Sequence, residues 1–279
     1  MFDAGLPFDE ASLQRAQGSV RLSATCGPTG SRLGRLYQQG AAKARFPKSY
    51  NPTLEAVLIN TSGGVTGGDR LDFTLHAEAG AHLVATSQAA EKIYRSLGRD
   101  GVVDVTLGLD VGAQLDWLPQ ETILFEGARL RRTLMVDMTP DARLLALEPV
   151  VFGRQAMGED IKNTFLSDQW RVRRGGQLVF ADALRIDERE GAVLRRRASL
   201  NGARALASLL YVAPDAEARL DEVRGLLAGL GDDVEAGASA WDDLMTVRFL
   251  AADGAALRRA LVAFLLPFRD APLPRVWSL

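Results

Sequence analysis

Two stretches decide the fold: TLHAEAGAHLVATSQ (Thr74–Gln88) and, thirty-two residues on, TLGLDVGAQLDWLPQ (Thr106–Gln120). Each runs from Thr-Leu through a small turn, Gly80-Ala81 or Gly112-Ala113, to a leucine, Leu83 or Leu115, and then Gln88 or Gln120. A third copy begins at Thr133-Leu134, passes Asp141-Ala142 and reaches Leu144. Each unit reads as strand, tight turn, strand and a less regular crossing. One such hairpin cannot bury both its faces, so stacked units would share a core. The competing reading is chance likeness, because β-hairpins draw on few turn sequences. Stacking predicts layered, β-helix-like mixed sheets, open in the manner of a solenoid and not closed as a barrel.

Apolar alternation extends this outward. Leu71, Phe73 and Leu75 alternate with polar neighbours, as do Val103, Val105, Leu107 and Leu109. The runs Ala56–Ile59 and Leu178–Phe180 read as buried strands. The last eighty or so residues differ. A strand at Leu206–Val212 leads to a helical pattern that opens at Pro214-Asp215, carries Leu220, Val223, Leu226, Leu227 and Leu230, and ends at Gly231. Leu244–Leu250 is a further strand. A helix with Leu257, Leu261, Phe264 and Leu265 on one face follows, and Pro267 is expected to stop it. The chain is thus predicted to be mainly β, one continuous unit over 1–279, with a β-rich body (about 20–200) and a β-α-β-α layer (about 201–279) packed on it.

Composition narrows the function. The chain has 279 residues, 47% hydrophobic and 24% charged, the balance of a soluble globular protein with room for a sizeable core. Its formal net charge is −2, which supplies no basic excess for nucleic acid. One cysteine, Cys26, excludes an internal disulfide. With two histidines, His76 and His82, a four-ligand His/Cys zinc centre cannot be built without carboxylates. No stretch approaches the ~20 apolar residues of a membrane span. The N-terminal seventeen or so residues carry Asp3, Asp9 and Glu10 without an apolar run, unlike a secretory or transit signal. A cytoplasmic protein with no membrane association is expected.

The strongest local motif is NTSGGVTGGD, Asn60–Asp69. Gly63 and Gly68 have phosphate-loop spacing, but Asp69-Arg70 stands where Lys and Ser/Thr are needed, and a strand follows instead of a helix. Two readings remain. One is a turn in which Gly63, Gly64, Gly67 and Gly68 supply backbone freedom; the other is a turn that holds Asp69 in a cleft or channel. An enzyme binding a small anion at Gly63–Asp69, with Arg70 and Lys92, is the alternative function. Ser87–Arg95 reads as a surface ion pair or as a polar wall touching a partner. Glu148 lies in the apolar run Leu144–Phe152 and must pair with an arginine, bind a cation or face water. Glu121 and Asp182 raise the same question. Nucleophilic catalysis is poorly supported: Cys26 has no neighbouring histidine, and no G-x-S-x-G or H-E-x-x-H is present. The tail Pro272–Leu279 either docks in the core, the preferred reading, or offers Arg275 and Trp277 as an interface.

Several stretches, taken in order, resemble the urease accessory protein D family (UreD, also called UreH). They are Gln39-Gly40 with Lys43–Pro47, Leu58–Gly64 with Gly67–Asp69, Ser87–Ser96, Trp117–Glu121, Phe152–Arg154 with Gly158-Glu159, and Leu273–Trp277. The resemblance runs from about Arg35 to Leu279, leaving the first two dozen residues largely unmatched. It implies a mostly β, stacked-sheet fold. It also implies a non-enzymatic scaffold or chaperone that binds urease apoprotein with accessory protein UreF and the GTPase UreG, and a dimer of heteromers formed through UreF. The implied task is nickel insertion, with carbon dioxide used to build the urease centre, and with Ni2+ passing through an internal water-filled passage. Thiolate and imidazole ligands are scarce, which suits a conduit of weak oxygen ligands better than a tight site or a tightly bound cofactor. Asp69, Glu91 and Glu148 are the expected lining of that passage.

Overall fold

The protein, seen in a computed structural model that describes residues 14–48, 51–154, 158–159, 161–187, 196 and 199–278, consists of two facing β-sheets with helices against the outside of one. The first sheet contains β1 (Gln17–Gly27), β2 (Gly30–Gly40), β5 (Arg70–Ala77), β8 (Gly101–Leu109), β11 (Arg129–Met138), β13 (Phe165–Arg174) and β14 (Gln177–Ile186), in the order β14-β13-β11-β8-β5-β1-β2. The second contains β3 (Ala42–Arg45), β4 (Leu54–Asn60), β6 (His82–Ser87), β7 (Glu91–Ile93), β9 (Gln114–Trp117), β10 (Thr122–Leu124), β12 (Arg143–Phe152), β15 (Ala205–Val212), β16 (Val234–Trp241) and β17 (Leu244–Ala251).

The thirty-two-residue repeat is the register of the sheets. Thr74 pairs with Thr106 in the first sheet, and Leu83 with Leu115 in the second, both in parallel ladders. The next coil pairs Leu107 with Val136 and Leu115 with Leu144, so the third copy starts two residues after Thr133-Leu134. A slip of two keeps every side chain on its predicted face. The repeating unit is not a hairpin, however. The turn at Gly80 carries the chain from one sheet to the other, and each strand pairs with its equivalent in the next coil. Successive turns stack through backbone bonds: Gly80 N donates to Val111 O at 2.9 Å, Asp110 N to Ala77 O at 3.0 Å, and Thr139 N to Leu109 O at 3.1 Å. His76 and His82 flank this turn and face Asp110 and Asp116 of the following coil, at 3.0 and 3.7 Å.

The main core lies between the sheets. Leu71, Leu75, Leu83, Leu107, Leu115, Leu130, Leu134 and Leu144 fill it. A second core lies on the outer face of the second sheet, which explains the near-continuous apolar sequence of β12: Leu144 and Ala146 face inward, Leu145 and Leu147 outward. Helix α2 (Gly254–Arg269) covers that outer face with Leu257, Leu261, Phe264, Leu265 and Phe268.

Four further expectations need correcting. Leu178–Phe180 belongs to the edge strand β14, and Leu178 is exposed. The first helix, α1, spans only Leu220–Ala228, with Gly229 as its cap; turns precede it, pinned where Tyr211 and Arg143 both donate to Asp215. Pro267 does not end α2. The helix continues two residues, because Phe268 is held by stacking on Phe264 and Arg269 donates twice to Asp116 Oδ2, at 2.9 and 2.7 Å. The chain then leaves the helix through Asp270 at φ 47°. Finally, the C-terminal layer has an additional edge strand, β16, paired to β17.

The tail docks in the second core. Trp277 is buried, its Nε1 donates to Leu118 O at 3.2 Å, and the Arg258 guanidinium packs over its ring while donating to Trp277 O. Trp277→Ala is therefore expected to cost about 3–5 kcal/mol in chemical denaturation, the range for emptying an aromatic core site. A loss below about 1 kcal/mol would show that the tail is not a core element. Among the described residues no helix is long and apolar enough to cross a membrane.

Candidate functional site

A break in the second sheet creates the site. Strand β6 stops at Ser87 and β7 starts at Glu91; in the next coil β9 stops at Trp117 and β10 starts at Thr122. The third coil, β12, is continuous, but it pairs with β9 through Ala146 and with β10 only from Val150. Leu147, Glu148 and Pro149 therefore lack a strand neighbour on that side. A proline, with no N–H to give the ladder, is tolerated there. The interruptions lie side by side and leave a partly open cavity of about 70 Å³, well above the ~10–15 Å³ needed by one water. Glu91, Glu148, Arg132, Gln120, Trp117 and Thr122 line it, and Asn60, Ser87 and Glu91 are its half-buried polar residues.

Its floor is a buried charge cluster. Arg132 of β11, 4% exposed, reaches across the core and donates from Nη1 to Glu148 Oε2 at 2.5 Å and to Thr122 Oγ1 at 3.0 Å. Its Nη2 donates to Asp168 Oδ2 at 2.5 Å. Trp117 Nε1 donates to Glu148 Oε1 at 2.8 Å. The arrangement follows from alternation: Arg132 shares the inward face of β11 with Leu130 and Leu134, and Asp168 that of β13 with Leu166 and Trp170. One guanidinium thus faces two buried carboxylates, and the formal balance is negative. Among the described residues Arg132 Nε, Asp168 Oδ1 and Gln120 Nε2 are buried without a hydrogen-bond partner, polar groups that water would satisfy.

Burial pushes the Glu91 carboxyl up to about 7, against the lowering effect of the Asn60 amide, which donates to Glu91 Oε1 at 3.1 Å. Burial likewise raises Glu148; Arg132 opposes this and Asp168 reinforces it. Near neutral pH burial therefore favours the protonated form of both carboxyls more than water would, and their oxygens suit weak cation contact better than tight binding. Among the described residues no group of three or more His, Cys, Asp and Glu side chains is placed to hold a metal ion.

The sequence-predicted residues separate. Glu91 and Glu148 share the cavity. Asp69 does not line it: its two carboxylate oxygens accept from Ala16 N and Thr66 N, both at 2.8 Å, and clasp the glycine-rich turn to the N-terminal segment. Gly64 sits at φ 153°, where a Cβ would lie 2.3 Å from the Tyr94 ring, so the turn packs too closely for any side chain there. Gly63 and Gly68 also adopt positive φ, and Gly67 packs on Ser96. Arg70 and Lys92, the residues of the small-anion alternative, do not converge. Arg70 lies on the outer side of the first sheet, bound to Asp72 and Asp104; Lys92 lies on the outer side of the second. Glu121 pairs with Arg258 and Asp182 with Arg248, as expected for carboxylates in apolar runs. Arg275 is exposed on a surface groove, whereas Trp277 is buried; Leu279 lies outside the described residues.

Sequence reasoning missed Arg132, Asp168, Trp117, Gln120 and Arg258. For two of these the signal was present: an arginine and an aspartate each occupy the inward position of an otherwise apolar alternation, Leu130-x-Arg132-x-Leu134 and Leu166-x-Asp168-x-Trp170.

A family model described as UreD urease accessory protein matches residues 16–278. The urease accessory protein UreD of Azorhizobium caulinodans is 50% identical over 266 residues, covering 95% of this chain and 97% of its own. That of Xanthobacter autotrophicus is 50% identical over 270 residues, covering 97% and 92%. That of Rhizobium leguminosarum bv. viciae is 46% identical over 270 residues, covering 95% and 96%. The match starts well before Arg35, where the motif resemblance begins, and takes in β1, which sits between β5 and β2.

Proposed function

The chain belongs to the UreD urease accessory protein family, and from that membership we propose that it matures urease as a non-enzymatic scaffold, binding urease apoprotein together with UreF and UreG and passing nickel onward through the cavity at the sheet break. The family supports the maturation role. The finer reading rests on one observation: two carboxylates, Glu91 and Glu148, line a single partly open cavity whose polar walls are incompletely satisfied. Nickel is cargo here, so the protein needs oxygen groups that release it, not a closed ligand set. Glu91, half-buried beside Asn60 and Ser87, is the point of entry or exit. Glu148 lies deeper and is kept from holding the cation tightly by Arg132. Asp69 takes no part and braces the turn. The proposed working form is a cytoplasmic dimer of heteromers joined through UreF.

The test is assembly. The chain should co-purify with UreF, and with UreF and UreG should bind purified urease apoprotein in one complex by size-exclusion chromatography with light scattering. Separate elution of the chain from all three would sink this reading.

A further inference from the structure

The loop after β7 presents a surface that the cavity does not use. Lys92, Tyr94, Arg95, Leu97 and Arg99 are all exposed within eight residues, Leu97 at 71%. The loop is firmly held. Tyr94 N donates to Val65 O at 2.8 Å, Ser96 N to Gly127 O at 2.9 Å, and Thr66 Oγ1 to Arg95 O at 3.0 Å. The Tyr94 ring meets Phe125 edge-on, and Arg154 covers the other ring from the following coil. Among the described residues, Lys92, Arg95 and Arg99 form no ion pair.

The carboxylates nearby are already committed. Glu159 accepts from the Arg154 backbone and guanidinium, which hold its carboxyl down to about 2. Glu126 accepts from the N–H groups of Lys162 and Asn163. Asp100, next to Arg99, is bonded to Arg129 and Arg131, so among the described residues Lys92, Arg95 and Arg99 are three cations without a carboxylate partner, on a chain whose net charge is −2. A firmly held, exposed tyrosine and leucine with three unpaired cations within the same eight residues has the make-up of a binding hot spot, and its complement is an acidic protein face. A phosphate backbone would be matched by a longer basic stripe without an apolar tip.

We propose that residues 92–99 form the docking surface for an acidic face of urease apoprotein. This rests on the maturation reading above. The receiver of the cargo is the fitting occupant because the Tyr94 hydroxyl donates to Gly63 O at 3.3 Å, and Asn60, a half-buried residue of the cavity that also donates to Glu91, donates to the adjoining Gly64 O at 3.0 Å, so a protein seated here lies beside the half-buried edge of the cavity.

The test uses the full chain with Lys92→Glu, Arg95→Glu and Arg99→Glu combined, and separately Leu97→Ser, against purified urease apoprotein, UreF and UreG at low and high salt. All four positions are exposed, and an unchanged melting temperature verifies the fold. The triple variant is expected to bind urease apoprotein about tenfold more weakly or worse, with a flatter salt dependence. Leu97→Ser should weaken binding while keeping the salt dependence, and UreF and UreG binding should persist. Undiminished urease binding by the triple variant, or a loss confined to UreF or UreG, would overturn the proposal. A wild-type chain that binds none of the three would instead defeat the maturation reading, and this surface with it.

Discussion

Arg132→Leu is expected to destabilise the protein by about 3–5 kcal/mol, the cost of leaving buried charge without its partner. Typical domains are stable by only about 5–15 kcal/mol, so much of the variant should be recovered as aggregate. The reason is arithmetic of charge in a dry place. Glu148 and Asp168 are 3% and 6% exposed, and Arg132 is the cation bonded to both. Among the described residues, removing it leaves Glu148 with Trp117 alone and Asp168 with no side-chain donor. A companion variant separates charge from packing: Arg132→Met with Glu148→Leu and Asp168→Leu should recover stability to within about 1–2 kcal/mol of the wild type, because a buried ion cluster replaced whole is often neutral. Urea denaturation of the three proteins decides it. Wild-type stability in Arg132→Leu would mean that the cluster is solvated. A triple variant no better than the single one would mean that shape, not charge, is at stake.

Glu91→Gln is expected to lower nickel per urease by roughly tenfold, the order seen when a group supporting a metal site is lost, while the complex with urease still assembles. Glutamine keeps an oxygen to accept from Asn60, so the geometry survives and the charge does not. Glu148→Gln would act in the same direction but would set an amide N–H against Arg132 or Trp117, which makes Glu91 the cleaner reporter. The same variant has a thermodynamic signature. With the folded carboxyl near 7 and the ordinary value at 4.5, the folded state takes up the proton more readily than the unfolded state. The contribution of Glu91 to stability is therefore complete below about pH 4.5, falls as pH rises towards 7, and stays lost above it. Glu91→Gln should match the wild type near pH 4.5 and exceed it above pH 7 by about 1–3 kcal/mol. Melting curves at the two pH values check this; equal shifts at both would place Glu91 in water.

Much of the fold was legible because its repeat is written in apolar spacing. Thr74 and Thr106, Leu83 and Leu115 are ladder partners, and the sequence interval is the register. Sequence alone did not show that the two halves of a unit face each other across a core, since a tight turn at Gly80 serves a hairpin and a sheet-to-sheet crossing equally well. Strand β16 escaped because VEAGASAW is an edge strand of small residues with no apolar alternation to betray it. The helix at Pro267 was misjudged because tertiary anchors, Phe268 on Phe264 and Arg269 on Asp116, outweigh one missing N–H. For the site, Glu148 was conspicuous as a charge in an apolar run, and its need for a partner was readable; which arginine answers it was not, because Arg132 comes from the opposite sheet. Asp69 stood out for its glycine-rich setting, yet that setting serves a clasp around backbone N–H groups.

The most direct measurement is the nickel content and activity of the cognate urease after co-expression of its subunits with UreF and UreG, with and without this chain. Omission should leave intact apoenzyme carrying little nickel and little activity, and restoring the wild-type chain should restore both. Full nickel and full activity without the chain would contradict the maturation role and, with it, any part for the cavity between Glu91 and Glu148.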